Sequence, residues 1–74
     1  MQDTYLNTLR KERIPVTVIV TNGYHIKQAR VVSFDSFVIL LEQDGKQTLV
    51  FKHAISSIEP QKPIEISLQK GEEQ

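Results

Sequence analysis

Apolar and polar residues alternate along much of this chain, which is the pattern of short β-strands with one buried face. Residues 14–21 alternate strictly, and the apolar side consists of Ile14, Val16, Val18 and Val20. Asn22-Gly23 follows immediately. Because this dipeptide tolerates positive φ angles, it predicts a two-residue hairpin turn into a second strand from about Tyr24 to Ser33.

The second strand contains an irregularity, which the spacing of its apolar residues indicates. Ile26 and Val31 are five positions apart, so a regular strand would place them on opposite faces. One extra residue within residues 27–30 would bring both to the core side. The sequence therefore predicts a β-bulge in this segment.

Three further strands follow. The apolar run Phe37–Leu41 predicts a central strand covered on both faces, although a run this short is also compatible with a helical turn. Asp44-Gly45 predicts a second hairpin, leading into a fourth strand over about Gln47–His53. A fifth strand, Ile55–Glu59, ends at the prolines that follow it. Residues 61–74 are expected to form a polar tail, acidic at its end, in which Ile64, Ile66 and Leu68 alternate as in a marginal strand.

The first residues predict one short amphipathic helix, about residues 3–12, which ends near Pro15. Asp3 or Thr4 can cap it, and Tyr5, Leu6 and Leu9, with Arg13 as a possible continuation, recur on one helical face. A helix followed by five bent strands is typical of a small barrel of the SH3-like or OB-like kind. Such a sheet leaves edges, and pairing of the fourth strand of one copy with the fifth strand of the next would close a ring.

Size and composition limit the function classes. Seventy-four residues make one small domain, predicted to span residues 1–60, and the nine basic side chains balance the nine acidic ones. Without cysteine the chain has no disulfide or thiolate, so oligomerisation is the expected support for so small a core. No apolar run is long enough for a membrane span, and the N-terminus lacks the order of a signal peptide. We therefore expect a cytoplasmic protein that holds no metal or other cofactor.

Several blocks of sequence together point to a known family. They are LNTLRKERIPVTV, TNG, VVSFDSFVILL, GKQTLVFKHAISSI and PQK, and they cover about residues 2–62. The most diagnostic is Phe51-Lys52-His53-Ala54. The chain thus resembles the Hfq family of bacterial RNA chaperones, within the Sm/LSm group. The resemblance implies an N-terminal helix on a five-stranded, strongly bent sheet, assembled as a homohexameric ring with a central pore.

The resemblance also implies three surfaces that contact single-stranded RNA. The proximal surface, on the helix-bearing face, would take uridine-rich 3′ ends through Gln2, Ser36, Phe37, Lys52 and His53. The distal surface, on the opposite face, would take adenine-rich strands through Ile19, Val20, Asn22, Gly23, Tyr24 and Ile26. The rim surface, on the outer edge, would use Arg10, Lys11, Arg13 and Phe34. Small regulatory RNAs and messages held on different surfaces would then anneal faster.

Three departures from the family pattern affect these expectations. The glycine that the family carries in the middle of the second strand is absent, and the chain is one residue longer between Gly23 and Phe34. Ile19 replaces an aromatic residue, so the distal surface loses one stacking ring, which Tyr24 partly replaces. Ser36 stands where a longer polar side chain is common. These changes leave a second hypothesis open, namely a structural or protein-interaction ring with weakened RNA binding.

Taken without the family, the same residues have simpler interpretations. Basic residues at the end of a helix are most often a solvated face that complements the helix dipole, and a lone histidine is most often structural. Phe34 and Phe37 would by default belong to the core. Ser33, Asp35 and His53 supply the residue types of a hydrolase triad, but no nucleophile elbow accompanies them. We therefore predict no enzymatic activity.

Overall fold

The fold is a helix on a five-stranded antiparallel sheet. A computed structural model of the chain describes residues 3–64. Its elements are α1 (Asp3–Lys11), β1 (Val16–Val20), β2 (His25–Phe34), β3 (Val38–Gln43), β4 (Lys46–Phe51), a 3₁₀ turn (Lys52–Ala54) and β5 (Ile55–Pro60). The strand order β4-β3-β2-β1-β5 places β4 and β5 at the two edges of the sheet. The predicted mainly β fold with one N-terminal helix is confirmed.

The helix ends in a Schellman motif. The N–H of Ile14 donates to the carbonyl of Leu9 at 3.2 Å, and the N–H of Arg13 donates to the carbonyl of Arg10 at 3.3 Å. Arg13 adopts a φ of 52° at the position that usually holds glycine. Arg13 is therefore exposed and outside the helix, and the possible continuation of the apolar face to this residue is wrong.

Two bulges bend the long strand β2. Val16 and Val18 of β1 pair with Ala29 and Ile26, so β2 has one residue more than β1 in this interval. The extra residue is accommodated by Gln28, whose φ is 55°. The predicted bulge in residues 27–30 is confirmed. A second bulge, which the alternation of apolar residues did not predict, lies around Val32, within the part of β2 that pairs with β3.

The two hairpins differ in their turns. Between β1 and β2, the N–H of Gly23 donates to the carbonyl of Val20 at 2.8 Å and the N–H of Val20 donates to the carbonyl of Tyr24 at 3.0 Å. Residues 21–23 thus form a three-residue loop in which Gly23, at a φ of 90°, follows an ordinary β-turn. The predicted two-residue turn is wrong here. Asp44-Gly45 does form a two-residue turn, since both residues have positive φ and Gln43 pairs with Lys46.

Strand β4 is shorter than its apolar pattern suggested. It ends at Phe51, and Lys52 and His53 belong to the 3₁₀ turn, so their predicted place on a strand is wrong. The physical reason is that the chain bends after Phe51 into the 3₁₀ turn, in which the N–H of Ile55 donates to the carbonyl of Lys52. The N–H of Lys52 still donates to the carbonyl of Phe37, at 2.8 Å, and joins the turn to the segment before β3. Phe37 precedes β3 and is exposed. Leu40, within β3, is half-buried, so coverage of both faces of that strand is only partial.

The core lies between α1 and one face of the sheet. Its buried side chains are Leu6, Leu9, Ile14, Val16, Val18, Ile26, Ala29, Val31, Ile39, Leu41 and Val50. The apolar side of β1 faces this core as predicted, with Val20 half-buried at its end.

The ends of the chain bear on two predictions. The predicted tail comprises residues 61–74, of which the structure describes residues 61–64. Ile66 and Leu68, in the predicted marginal strand, lie outside the described residues. The domain boundary near residue 60 stays a prediction. Across residues 3–64, no helix has the length and apolar character needed to cross a bilayer.

Candidate functional site

An Asx-type turn before β3 presents an aromatic ring to solvent. Asp35 Oδ1 accepts the N–H groups of Phe37 at 2.7 Å and Val38 at 2.9 Å, so the chain turns sharply after β2. These two hydrogen bonds, with a smaller contribution from the Lys52 charge, hold the pKa of Asp35 below its usual value. Phe37 is left 73% exposed. In the single protomer, most of the ring surface is therefore accessible to solvent.

The ammonium of Lys52 lies between a carboxylate and an aromatic ring. Its Nζ is 2.9 Å from Asp3 Oδ1 in the first turn of α1, and the centroid of the Phe34 ring is 5.5 Å away. The Lys52 side chain is only 14% exposed, whereas that of Asp3 is 66% exposed. The lysine is therefore fixed in place by its partners, and the carboxylate is the side open to solvent.

The described members of the predicted proximal surface come together. The hydrogen bond between Lys52 and Phe37 joins the 3₁₀ turn to the loop that carries Ser36. His53 is exposed, and its ring stacks on that of Phe51 with the centroids 5.9 Å apart. Gln2 lies outside the described residues. An aromatic face, a cation and an imidazole thus occupy neighbouring positions, which suits recognition of single-stranded nucleic acid.

Phe34, which the resemblance places on the rim, contacts a proximal residue. Its half-buried ring lies next to the Lys52 ammonium. The cation–π contact helps to fix the lysine. The structure therefore gives Phe34 a supporting position next to the proximal residues.

The residues predicted for the distal surface differ in exposure. Tyr24 is 65% exposed, and its N–H donates to Asn22 Oδ1 at 3.0 Å, so the asparagine side chain stabilises the loop itself. Ile19 and Val20 are half-buried. Ile26 is in the core and only 6% exposed, so its side chain offers almost no surface to a ligand.

The basic residues at the end of α1 border a groove between the helix end and strands β2 and β3, here named the rim groove. It has a volume of about 310 Å³ and is lined by Arg10, Arg13, Arg30, Val31, Val32 and Glu42. The Arg10 guanidinium also donates to the side-chain oxygen of Asn7 on the helix. Lys11 is exposed but does not line the groove.

Sequence reasoning missed several residues at these places. In the sequence, Arg30 is an ordinary surface residue and Asp3 only a candidate helix cap, and their contacts follow from tertiary pairing. Asp35 had a readable signal, since an aspartate two residues before a strand often forms an Asx turn. His25 lies directly across from Ile19 in the sheet, so its exposed ring shares the face of that residue.

The residue types of a hydrolase triad are not assembled. Asp35 accepts backbone N–H groups, and the His53 ring stacks on Phe51. Within residues 3–64, no hydrogen bond joins Ser33, Asp35 and His53. The same part of the chain contains no cluster of carboxylate and imidazole groups suited to a metal ion.

Comparison with known proteins identifies close relatives. The family model described as Hfq protein matches residues 1–65. A relative from Desulforudis audaxviator, named RNA-binding protein Hfq, is 52% identical over 67 residues, which are 90% of this chain and 80% of the relative. A relative of the same name from Clostridium perfringens is 56% identical over 64 residues, covering 86% of this chain and 79% of the relative.

A solved structure agrees with these relatives. It is a crystal structure described as that of the pleiotropic translational regulator Hfq, and it superposes with a TM-score of 0.75 at 36% identity. The alignment covers 78% of this chain and 95% of the other. The relatives are named as RNA-binding proteins rather than as enzymes, in agreement with the prediction of no enzymatic activity.

Proposed function

Because the chain belongs to the Hfq family, we propose that it is an RNA chaperone, a ring of identical protomers that binds uridine-rich single-stranded RNA on its proximal surface. The ring also binds adenine-rich RNA on its distal surface, and so promotes annealing of small RNAs to messages in the cytoplasm. The observation that carries this proposal is the exposed Phe37 ring, held by a backbone hydrogen bond beside Lys52 and close to His53.

Stacking explains why this surface suits bases. A base that lies on the Phe37 ring gains about 1–3 kcal/mol, whichever base it is. Preference for uridine requires polar groups that meet its carbonyl oxygens, and the Lys52 ammonium and the His53 imidazole are donors of the right kind. Ser36, exposed beside Phe37, adds a hydroxyl at the same place.

Ring formation is supported by the two edges of the sheet. β4 and β5 are at opposite ends of the strand order, and each leaves a row of backbone groups without a partner strand in the described chain. Leu49 and Phe51 on β4 are 60% and 56% exposed, so this edge of the sheet carries accessible apolar surface. Pairing of β4 with β5 of the next protomer covers both edges, and repetition around an axis closes the assembly.

A symmetric ring would also concentrate positive charge at its axis. One protomer has no net charge, yet RNA binding needs a positive surface. Around a shared axis, each copy contributes one Lys52 and one His53 to the same opening. The local positive field is then multiplied without a change in the net charge of the chain.

The proposal is tested by titrating a fluorescent six-uridine oligomer at several salt concentrations. We expect the affinity to fall with salt, and Lys52→Ala to bind more weakly, with a salt slope reduced by about 0.7 for each phosphate that the variant no longer neutralises. Lys46→Ala removes the same charge from the β3–β4 hairpin and serves as the matched control. Equal binding by Lys52→Ala and Lys46→Ala would contradict the assignment of Lys52.

The same titration distinguishes the second hypothesis. An adenine-rich oligomer reports the distal surface, where Tyr24 supplies the exposed ring. Negligible binding of both oligomers at every salt concentration, by a protein that still forms a ring, would favour a structural or protein-interaction ring instead.

A further inference from the structure

The loop between β1 and β2 carries the pair Asn22-Gly23, which is chemically reactive. In such a pair the glycine nitrogen can attack the side-chain amide of the asparagine, because glycine has no side chain to hinder the approach. Both residues are exposed, and a carbon atom attached to the Gly23 Cα as a side chain would meet no atom of residues 3–64 within 4 Å. The loop therefore has room for the cyclic product of this attack.

A hydrogen bond holds the Asn22 amide in position for the attack. Asn22 Oδ1 accepts the N–H of Tyr24 at 3.0 Å, so the side chain folds back over the peptide bond that joins Asn22 to Gly23. The same hydrogen bond stabilises the negative charge that develops on Oδ1 as Cγ is attacked. The loop conformation thus both orients the amide carbon and activates it.

A second hydrogen bond opposes the reaction. The N–H of Gly23 donates to the carbonyl of Val20 at 2.8 Å, and this bond must open before the nitrogen can attack. Because the net free energy of one such hydrogen bond is small, its opening should slow the reaction about tenfold at most. Asn22 should therefore react in the folded protein almost as fast as in an unfolded chain.

Resting on the proposed function for its effect on RNA, we infer that Asn22 deamidates spontaneously in the folded protein and that the carboxylate formed weakens binding of adenine-rich RNA on the distal surface. The Gly23 backbone nitrogen bonds to Asn22 Cγ, the Cγ–Nδ2 bond breaks, and the proton of the nitrogen leaves with the amide group as ammonia. Water then opens the cyclic imide. Cleavage of the new bond gives aspartate, and cleavage of the original peptide bond gives isoaspartate, in which the main chain passes through Cγ.

Both products place a negative charge on a predicted RNA surface, beside the exposed Tyr24 ring. Aspartate can still accept the Tyr24 N–H, so the loop keeps its conformation while each protomer gains one negative charge. Isoaspartate also adds a methylene group to the main chain and displaces Gly23 from the Val20 carbonyl. Repulsion between the new carboxylate and a phosphate at contact distance should lower the affinity about fivefold.

The modification is tested by ageing the protein at a mildly alkaline pH and digesting it with trypsin. Cleavage after arginine and lysine separates Asn7, in residues 1–10, from Asn22, in residues 14–27. Mass spectrometry then detects the change from amide to carboxylate in each fragment. We expect the Asn22 fragment to change at a rate within about tenfold of that in the same chain unfolded by guanidinium chloride. A slower rate in the folded protein would overturn the inference.

Asn7 serves as the control within the same chain. It is half-buried in α1, where the backbone is fixed, and it precedes the β-branched Thr8. We expect its fragment to keep the amide in the folded protein throughout the ageing. Loss of the amide from both fragments at the same rate would show that the loop does not promote the reaction, and would also overturn the inference.

The effect on RNA is tested with an adenine-rich oligomer. We expect ageing to lower the affinity, and Asn22→Asp to reproduce the loss of about fivefold without ageing. Asn7→Asp makes the same change of charge on the helix and should bind as the parent does. Asn22→Ser has no amide to lose, so its affinity should stay constant during ageing. Equal affinities of Asn22→Asp and Asn7→Asp, or an equal loss on ageing in Asn22→Ser and the parent, would overturn the inference.

Failure of the inference is distinguishable from failure of the proposed function. Fresh protein that does not bind the adenine-rich oligomer contradicts the distal assignment, and with it the inferred effect on RNA. Fresh protein that binds this oligomer, but whose deamidated form binds it equally well, contradicts only the inference. The six-uridine oligomer reports the proximal surface and should bind fresh and aged protein alike.

Discussion

Lys52 and Asp3, 49 positions apart in the sequence, form an ion pair of 2.9 Å that joins the 3₁₀ turn to the first turn of the helix. The pair fixes the lysine beside Phe34 but also places a carboxylate next to the proposed phosphate site. RNA that approaches Lys52 must therefore compete with Asp3. The affinity of the proximal surface is set by the difference between these two attractions.

Removal of the competing carboxylate should strengthen uridine binding. Asp3→Asn frees Lys52 and removes repulsion of the phosphate, and because exposed ion pairs contribute about 0–1 kcal/mol, we expect up to about a fivefold gain in affinity. Titration of the six-uridine oligomer measures it. Glu12→Gln, with the same charge change away from Lys52, is the control, and an equal gain in both variants would refute a specific role for the pair.

Loss of the exposed ring should weaken uridine binding strongly. Phe37→Ala removes one base stack, which is worth about 1–3 kcal/mol, so the affinity should fall about 5- to 150-fold. Phe37→Tyr retains an aromatic face and should bind within a fewfold of the parent. Equal affinities of Phe37→Ala and Phe37→Tyr for the six-uridine oligomer would contradict the prediction.

Two substitutions of Arg13, whose backbone conformation is strained, distinguish its effect on the stability of the fold from its effect on RNA binding. At a φ of 52°, a residue with a side chain is about 1 kcal/mol less stable than glycine. The free energy of unfolding of Arg13→Gly should therefore exceed that of Arg13→Ala by about 1 kcal/mol. Both variants lose the guanidinium and should bind a single-stranded RNA oligomer equally weakly. Denaturant unfolding at one protomer concentration gives the first quantity, and titration gives the second. A more stable alanine variant would show that the left-handed conformation is not maintained.

Acid should weaken the fold through Asp35. Its pKa is lowered in the folded chain by the N–H groups of Phe37 and Val38, so the folded state favours the ionised carboxylate. The resulting stability is fully present above the ordinary aspartate value of 3.8 and is lost as the pH falls through the lower folded pKa. Asp35→Asn should make the unfolding midpoint depend less on pH in this range. An unchanged profile would mean that other carboxyl groups cause the acid sensitivity.

Features that depend on strand parity could be predicted from the sequence. The alternation in β1 placed Val16 and Val18 in the core, and the odd spacing of Ile26 and Val31 located the bulge, because burial has to follow the two-residue period of a strand. Asp44-Gly45 was also sufficient for its turn, since both residues accept positive φ locally. These are properties of neighbouring residues, which a sequence shows directly.

Features that depend on distant partners could not be predicted in this way. The sequence predicts that β4 extends to His53, but the 3₁₀ turn, in which the N–H of Ile55 donates to the carbonyl of Lys52, ends the strand at Phe51. The Asn22-Gly23 loop has three residues because only Gly23 adopts positive φ. The juxtaposition of Arg30 and Glu42 in the rim groove likewise depends on the register of β2 against β3.

The proposed function requires protomers that join through β4 and β5 around a common opening that binds RNA. Intact-complex mass measurement, with and without a six-uridine oligomer, tests both parts at once. We predict a complex of six protomers that takes up the oligomer, and whose uptake is reduced by Lys52→Ala. A protein that keeps the mass of one protomer in dilute solution and gains none on addition of the oligomer would contradict the account.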